Sequence, residues 1–372
     1  MLRQDVKLIS VDDHLIEPKH LWTDRLPAKY QDVGPRVVED DEGHEVWQFE
    51  GQLFPQVGLN AVAGLDVEDF STEPRRFEDM RPGCYEPNAR LKDMDQDGVW
   101  ASLAFPSFSR FCGQRFLEAK DKDLGLACVQ AYNDFMLDEW SGADRERLVP
   151  LVILPLWDAE LAAAEVRRTA ARGAKAIAFS EGPAKLGLPS FHSGGWDPLF
   201  RAAVETDMPV CMHIGSSSSM ITTSADAPYA MHIGLNGLNS MIAAVDLLWS
   251  PVPTTFPDIK LVLSEGGAGW APYIMEKINW AWTKHRHYCD LPDTPPEEVW
   301  SRNFFLCFIE DVFAVEQREK IGIDNLMWEA DYPHSDCAWP NSRNRLEEVL
   351  EDVDDDDAAK IGELNARRVF NL

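Results

Sequence analysis

Basic residues are scarce in this 372-residue chain: 35 Lys and Arg stand against 63 Asp and Glu, a net charge of −28. A phosphate backbone is repelled by such a surface, which excludes nucleic acid as a partner and leaves a well-solvated exterior as the meaning of the acidity. Close cysteine pairs are also lacking. Cys84, Cys112, Cys128, Cys211, Cys289, Cys307 and Cys337 fit neither a zinc ribbon nor a disulfide framework. Cys211 and Cys307 lie inside apolar runs, where a reduced thiol packs as a small hydrophobe. No window approaches about 18 uninterrupted apolar residues, so no membrane span is expected. The opening MLRQDVKLISVDDH has no apolar stretch of the signal-peptide kind, and a cytoplasmic location is the expectation.

What the chain has in quantity is material for one large core: 45% hydrophobic residues, 13 Trp and 18 Phe. Short apolar runs recur, each ending in polar or Gly residues and followed by a helix-like segment. They are LISV (8–11), VWASLAF (99–105), LVPLVIL (148–154), AKAIAF (174–179), PVCMHI (209–214), IKLVLS (259–264), FFLCFI (304–309) and NLMWEA (325–330). Continuous apolar runs of this length suit strands buried on both faces, as in a parallel sheet. Leu124–Trp140, Ala159–Arg172, Pro198–Thr206 and Val312–Ile321 read as helices between them. Eight runs alternating with helices predict an α/β fold, a closed (β/α)₈ TIM barrel spanning residues 1–372 as a single domain. Residues 18–90 break the rhythm with many Pro, Gly and charged residues and short strands at VWQFEG and QLFPQVG. They read as a long insertion after the first strand, a lid or interface arm. The acidic run Glu351–Asp357 reads as a solvated connection between helices.

Barrel enzymes carry their chemistry at the C-terminal ends of the strands, and the unusual polar residues of this sequence fall there. Asp12 and His14 follow the first run, two apart and so on one face of an extended chain. His213 closes the fifth run, Glu265 follows the sixth within SEGGAGW, and Asp331, His334 and Asp336 follow the eighth. Oxygen and imidazole donors converging on one point suit zinc, manganese or iron. A metal so placed acidifies a bound water or polarises a substrate oxygen. Each piece alone has a plainer reading: a capped helix for Asp12 and His14, a hydrogen-bonded core residue for His213, a loop cap for Asp331. Their coincidence at four strand ends out of eight is the signal.

At these residues the sequence resembles the amidohydrolase superfamily, in the amidohydrolase-related branch that includes the aminocarboxymuconate semialdehyde decarboxylase-like enzymes. The matching segments are SVDDHLIEP (10–18), RLKDMDQDGV (90–99), PVCMHIGSSS (209–218), LSEGGAGW (263–270) and WEADYPHSD (328–336), in the family's order. The resemblance implies one divalent metal held by Asp12, His14, His213 and Asp331, with zinc the first expectation and manganese or iron the alternatives. Asp12-x-His14 is a variant of the Glu-x-His found in some relatives. No Lys ends the fourth run, AFSEG, so a carboxylated-lysine binuclear site is absent from this reading. Related decarboxylases have a His after the sixth strand where this chain has Glu265. A Glu there can serve as a ligand, a proton shuttle or an orienting acceptor, but it does not donate as an imidazolium does.

Asp331, Glu265 and His334 are the candidate catalytic residues, acting on a small-molecule substrate. The first reaction considered is hydrolysis of an amide, ester or activated C–C bond, in which Asp331 takes a proton from water and Glu265 assists the leaving group. The alternative is non-oxidative decarboxylation of an aromatic or conjugated acid, in which protonated Asp331 delivers a proton to carbon. Ser216–Ser219 and the glycines 266, 267 and 269 are further candidates for substrate contact, and His232 for the pocket wall. Trp22, Phe54, Tyr85, Phe105, Phe108, Trp270 and Trp339 fall in or near the mouth loops. The insertion and the Trp-rich helix around Trp280 are compatible with a homodimer.

Overall fold

A computed structural model describes residues 2–372. All eight apolar runs form strands: β1 (Leu8–Leu15), β2 (Val99–Pro106), β3 (Leu148–Val149 and Leu151–Val152), β4 (Ala176–Ala178), β5 (Val210–His213), β6 (Leu261–Ser264), β7 (Phe304–Phe308) and β8 (Leu326–Trp328). Neighbours pair in parallel around the ring. β3 is split because Pro150 has no N–H to give; its first half pairs with β2 and its second with β4. Between β8 and β1 the ring closes just past the strand end, where Asp331 N–H donates to Asp12 O at 2.9 Å and His14 N–H to Tyr332 O at 2.7 Å. Every residue of the eight strands is buried except Trp100, as strands covered by helices on one side and by one another across the ring must be.

Helices follow the strands as the periodicity predicts: Lys122–Phe135 with a π-helical turn over 136–140, Ala159–Ala170, Asp197–Glu205, Asn236–Trp249, Ala271–His285 and Pro296–Asn303. Asp121 and Asp158 cap their helices by accepting two backbone N–H bonds each. The segment read as one helix over 312–321 is two, broken at Gln317. The acidic run begins as a connection, but Asp354 then caps a helix whose first turn is Asp355, Asp356 and Asp357, where carboxylates complement the helix dipole. No helix among the described residues is long and apolar enough to cross a membrane. All seven cysteines are free, five of them buried.

Residues 18–90 carry an antiparallel meander, Arg36–Glu39, Glu45–Phe49 and Gln52–Phe54. Its second turn places Glu50 and Gly51 at φ 48° and 77°, the left-handed pair that a tight hairpin needs. Trp47 is the anchor, edge-on to Trp22 at 5.1 Å and stacked on Phe108 at 4.8 Å. The helix Pro87–Asp97 ties the insertion to the barrel through an inward stripe of Arg90, Asp93, Met94 and Asp97, spaced three and four apart. Asp93 accepts from both Arg81 and the Tyr332 hydroxyl, and Asp97 from Ser342 N–H. The buried Arg90 donates to the carbonyls of Gly83 and His14.

Candidate metal centre

β1 contains one more residue than β2 between the paired positions Ser10–Ser102 and Asp13–Ala104, a bulge at Val11–Asp12. A bulge of this kind re-aims side chains beside a site. It leaves Asp12 and His14 facing the barrel interior while Asp13 points outward to Ser10 Oγ, at 2.7 Å, and to Arg90, at 3.5 Å. His213 closes β5, Glu265 is the first residue after β6, and Asp331 is the third after β8. Glu265 and Asp331 both stand at positive φ, 58° and 54°. Non-Gly residues adopt that backbone only where the surroundings enforce it. For Glu265 the enforcing contact is its N–H donating to Glu329 Oε2 at 3.2 Å; for Asp331 it is the barrel-closing bond to Asp12 O.

The six candidate residues converge. His14 Nε2 lies 3.2 Å from His213 Nε2, 3.2 Å from Asp331 Oδ1 and 3.5 Å from Asp12 Oδ1. Glu265 Oε2 is 2.5 Å from His213 Nε2 and 3.7 Å from His14 Nε2. His334 stacks on His14 with centroids 3.7 Å apart and turns Nδ1 to Asp331 Oδ1 at 3.0 Å. His213 Nδ1 faces Ile214 O at 2.6 Å, so that nitrogen carries the proton and Nε2 presents its lone pair to the others. Phe111 stacks on the same ring at 4.0 Å.

Two imidazole nitrogens face to face, with carboxylate oxygens around them, make an arrangement that could hold a cation. Both Asp12 oxygens, Glu265 Oε2 and Asp331 Oδ1 are buried without a hydrogen bond, a condition costly enough to be rare. The potential donors of His14, Glu265, Asp331 and His334 lie within 4.8 Å of one another, as do those of Asp12, His14 and His213. Burial and mutual repulsion push Asp12 well above the carboxylate range, and Glu329 and Asp331 up to about 8. Burial also opposes charge on Glu265, but His213 and His14 outweigh it and hold this carboxyl well below its ordinary value. Burial drives His14 down to about 4, whereas Glu265 overcomes burial at His213 and raises it. A nitrogen and oxygen donor set with excess negative charge fits a divalent metal.

This cluster is at one end of a cavity of about 470 Å³ lined by Arg110, Phe111, Ile214, Met220, Ile233 and His232 among others. A second cavity of about 380 Å³ adjoins it, sharing Asn60, Arg110, Phe111, Tyr229 and His334. Asp336 and His232 do line the first cavity. Of the serines, Ser216 and Ser217 are buried on Glu181, and Ser218 is exposed and receives Arg110 at 3.0 Å. The glycine-rich loop is no anion cradle: the N–H groups of Ala268 and Gly269 are used by Asp311, and Gly266 is needed because a Cβ there would meet Ser240 Oγ at 2.0 Å. Among the seven mouth aromatics, Phe54 and Phe108 line the second of these cavities. Trp22, Tyr85, Phe105, Trp270 and Trp339 pack against other side chains instead.

Sequence reasoning missed Glu329, Phe111 and Arg110. Glu329 was inside an apolar run, and its only signal is a charge two residues before Asp331 on the same face. Phe111 and Arg110 sit on an irregular loop after β2, fixed by Glu17, whose carboxylate accepts the N–H groups of Ser107, Phe108 and Ser109.

The family model described as amidohydrolase matches residues 19–372, leaving only the first-strand donors outside the matched span. Among solved structures, an amidohydrolase from Mycobacterium avium subsp. paratuberculosis aligns over 99% of this chain and 100% of its own, with TM-score 0.73 and 22% identity. The 5-carboxyvanillate decarboxylase of Sphingomonas paucimobilis covers 99% and 100%, with TM-score 0.68 and 18% identity. A 5-carboxyvanillate decarboxylase from Novosphingobium aromaticivorans, solved with manganese and 4-hydroxy-3-methoxy-5-nitrobenzoic acid, covers 100% of both chains, with TM-score 0.66 and 17% identity.

Proposed function

We propose that this chain, which belongs to the amidohydrolase family, is a metal-dependent carboxy-lyase that removes CO₂ from a small aromatic or conjugated acid. The observation that carries this reading is the buried cluster of unpaired carboxylate and imidazole atoms opening onto a cavity whose wall sets Arg110 beside Phe111, Ile214, Met220 and Ile233. Asp12, His14, His213 and Asp331 would hold the metal, with Glu265 against the two imidazoles. The oxygen-rich donor set suits manganese as well as zinc. Once bound, such an ion supplies a Lewis-acidic centre for the substrate's oxygens.

The chain's own residues account for the rest. Apolar side chains and Phe111 exclude water around the substrate ring, and Arg110 attracts its anionic end into a site whose protein surface is otherwise repellent. Entry of the substrate's anionic end beside the buried Asp331 would restore a proton to its carboxyl, since neighbouring negative charge disfavours the ionised form, and His334 Nδ1 lies 3.0 Å from Oδ1 of that carboxyl. Asp331 passes this proton to the ring carbon that bears the carboxylate, using a ring π pair. The bond from that carbon to the carboxylate then breaks, its electron pair restores the ring, and CO₂ leaves. Asp331, now ionised, regains its proton from solvent. Residues 18–90 serve here as a wall of the cavity, with Leu59 and Asn60 in the first chamber and Trp47 and Phe54 in the second.

Hydrolysis, the reaction the residues alone put first, has Asp331 take a proton from water and Glu265 assist proton transfer to the leaving group. The contact of Glu265 with His213 and His14, which keeps it ionised, speaks against that role. The decarboxylases among the fold neighbours add weight to the carboxy-lyase reading. The test is a panel of hydroxybenzoates and conjugated diacids assayed for released CO₂, beside esters and anilides assayed for hydrolysis. CO₂ from at least one acid supports the proposal; hydrolysis without CO₂ from any acid overturns it.

A further inference from the structure

The second chamber is rich in hydrogen-bond donors that have nothing to bind. Trp47 Nε1, Gln56 Nε2 and Arg115 Nε are all buried without a partner, and all three residues line it. Trp47 is 2% exposed and is locked by its stack on Phe108. Arg115 is held flat against Phe54, its guanidinium 3.8 Å from the ring centroid, so its position is set by packing. Unsatisfied buried donors are costly, and the three residues that carry them all line this one chamber.

Charge points the same way. Arg110 and Arg115 both line this chamber, and they share a single carboxylate: Glu118 Oε1 lies 3.2 Å from Arg110 and Oε2 3.0 Å from Arg115. One positive charge is left over. The nearby Glu17 is buried on three backbone N–H groups of the same loop and faces them instead. In a chain with net charge −28, a cationic, donor-lined chamber next to the metal cluster is a local exception.

We infer that the second chamber is a subsite for a second carboxylate of the substrate, so that this chain selects diacids over monoacids. The inference rests on the carboxy-lyase reading for the acid that reacts at Asp331; the distal carboxylate is read by Arg115, Gln56 and Trp47. The two chambers share Phe111, Arg110 and His334, and a ring seated on Phe111 reaches both.

The test is calorimetric titration of the purified holoenzyme with benzoate, isophthalate and terephthalate, which reads binding without turnover. At least one diacid is expected to bind about tenfold more tightly than benzoate, the worth of one charged hydrogen bond. Gln56→Leu and Arg115→Met should each shrink that preference to threefold or less. Equal affinity for all three acids overturns the subsite, and so does a diacid preference that survives both variants. The Gln56 variant keeps the answer available if loss of Arg115 unfolds the loop. Diacid preference with no CO₂ released from any acid would sink the carboxy-lyase reading alone, whereas CO₂ release without diacid preference would sink the subsite alone.

Discussion

Stripping the metal and raising the pH should destabilise this protein, and the sign follows from the buried cluster. Asp331 and Glu329, each 1% exposed, are pushed up to about 8 in the folded chain, against about 4 in the unfolded one. A carboxyl raised on folding contributes stability that is complete below the unfolded value and is lost as pH climbs through the folded one. His14 and His334 are lowered by burial and work in the opposite direction, but only below their ordinary titration near about 6.5. His213 is raised and acts with the carboxyls in the upper range. The window from about pH 6.5 to 8 is therefore one-sided. Each proton held by the folded state alone gives a slope of about 1.4 kcal/mol per pH unit. Two carboxyls, half-titrated towards the top of the window, give a loss of about 3 kcal/mol across it, and Asp12, also raised by burial, adds to it in the same direction. Urea unfolding of chelator-treated protein at pH 6.5, 7.2 and 8.0 measures this directly. One equivalent of manganese or zinc should weaken the trend, because a bound ion favours the ionised form of its ligand carboxylates, Asp331 among them, and expels protons. Proton release can be counted by calorimetry in two buffers of different ionisation enthalpy. Metal-free stability that is flat or rises between pH 6.5 and 8, or metal binding without proton release, would refute the argument.

Further substitutions probe the site and the residues that support it. His213→Ala should lose the bound metal by elemental analysis, while Asp331→Asn should lower CO₂ release by about 10²–10⁴-fold as a proton donor's removal does; full activity in both would dismiss the cluster. Arg90→Met leaves Asp13 buried without its cation and two carbonyls without their donor, a cost of about 3–5 kcal/mol in urea unfolding. Adding Asp13→Asn should recover part of that cost, and a double variant no better than the single one would contradict the pairing. Phe111→Ala removes the ring stacked on His213 and should raise KM more than it lowers kcat, whereas an unchanged KM would show that the substrate does not rest there.

Much of the architecture was legible because strands buried on both faces leave a continuous apolar signature, and all eight runs became barrel strands. The residues at their ends were legible for the same reason: once the strand ends are known, Asp12, His14, His213, Glu265, Asp331 and His334 fall at one rim. Breaks inside elements were harder. Pro150 could be seen to interrupt a ladder only when both neighbours of β3 were known, and the helix over 312–321 stops at Gln317 with no Gly or Pro to mark it.

The sequence by itself thus determined the barrel, its eight strands and the residue types gathered at its mouth, since these follow from short-range pattern and from the rule that strand ends carry the chemistry. Tertiary structure alone decided which contacts each of those residues makes. The β1 bulge separates Asp12 and His14 from Asp13. The backbone at Glu265 turns its carboxylate onto the two histidines, and the inward stripe of Arg90, Asp93 and Asp97 is polar where a pattern reader looks for apolar residues. It also made Glu329 a member of the cluster and left Trp47, Gln56 and Arg115 facing one void. These contacts join residues tens to hundreds of positions apart, and their energies depend on burial and distance, which no local periodicity encodes.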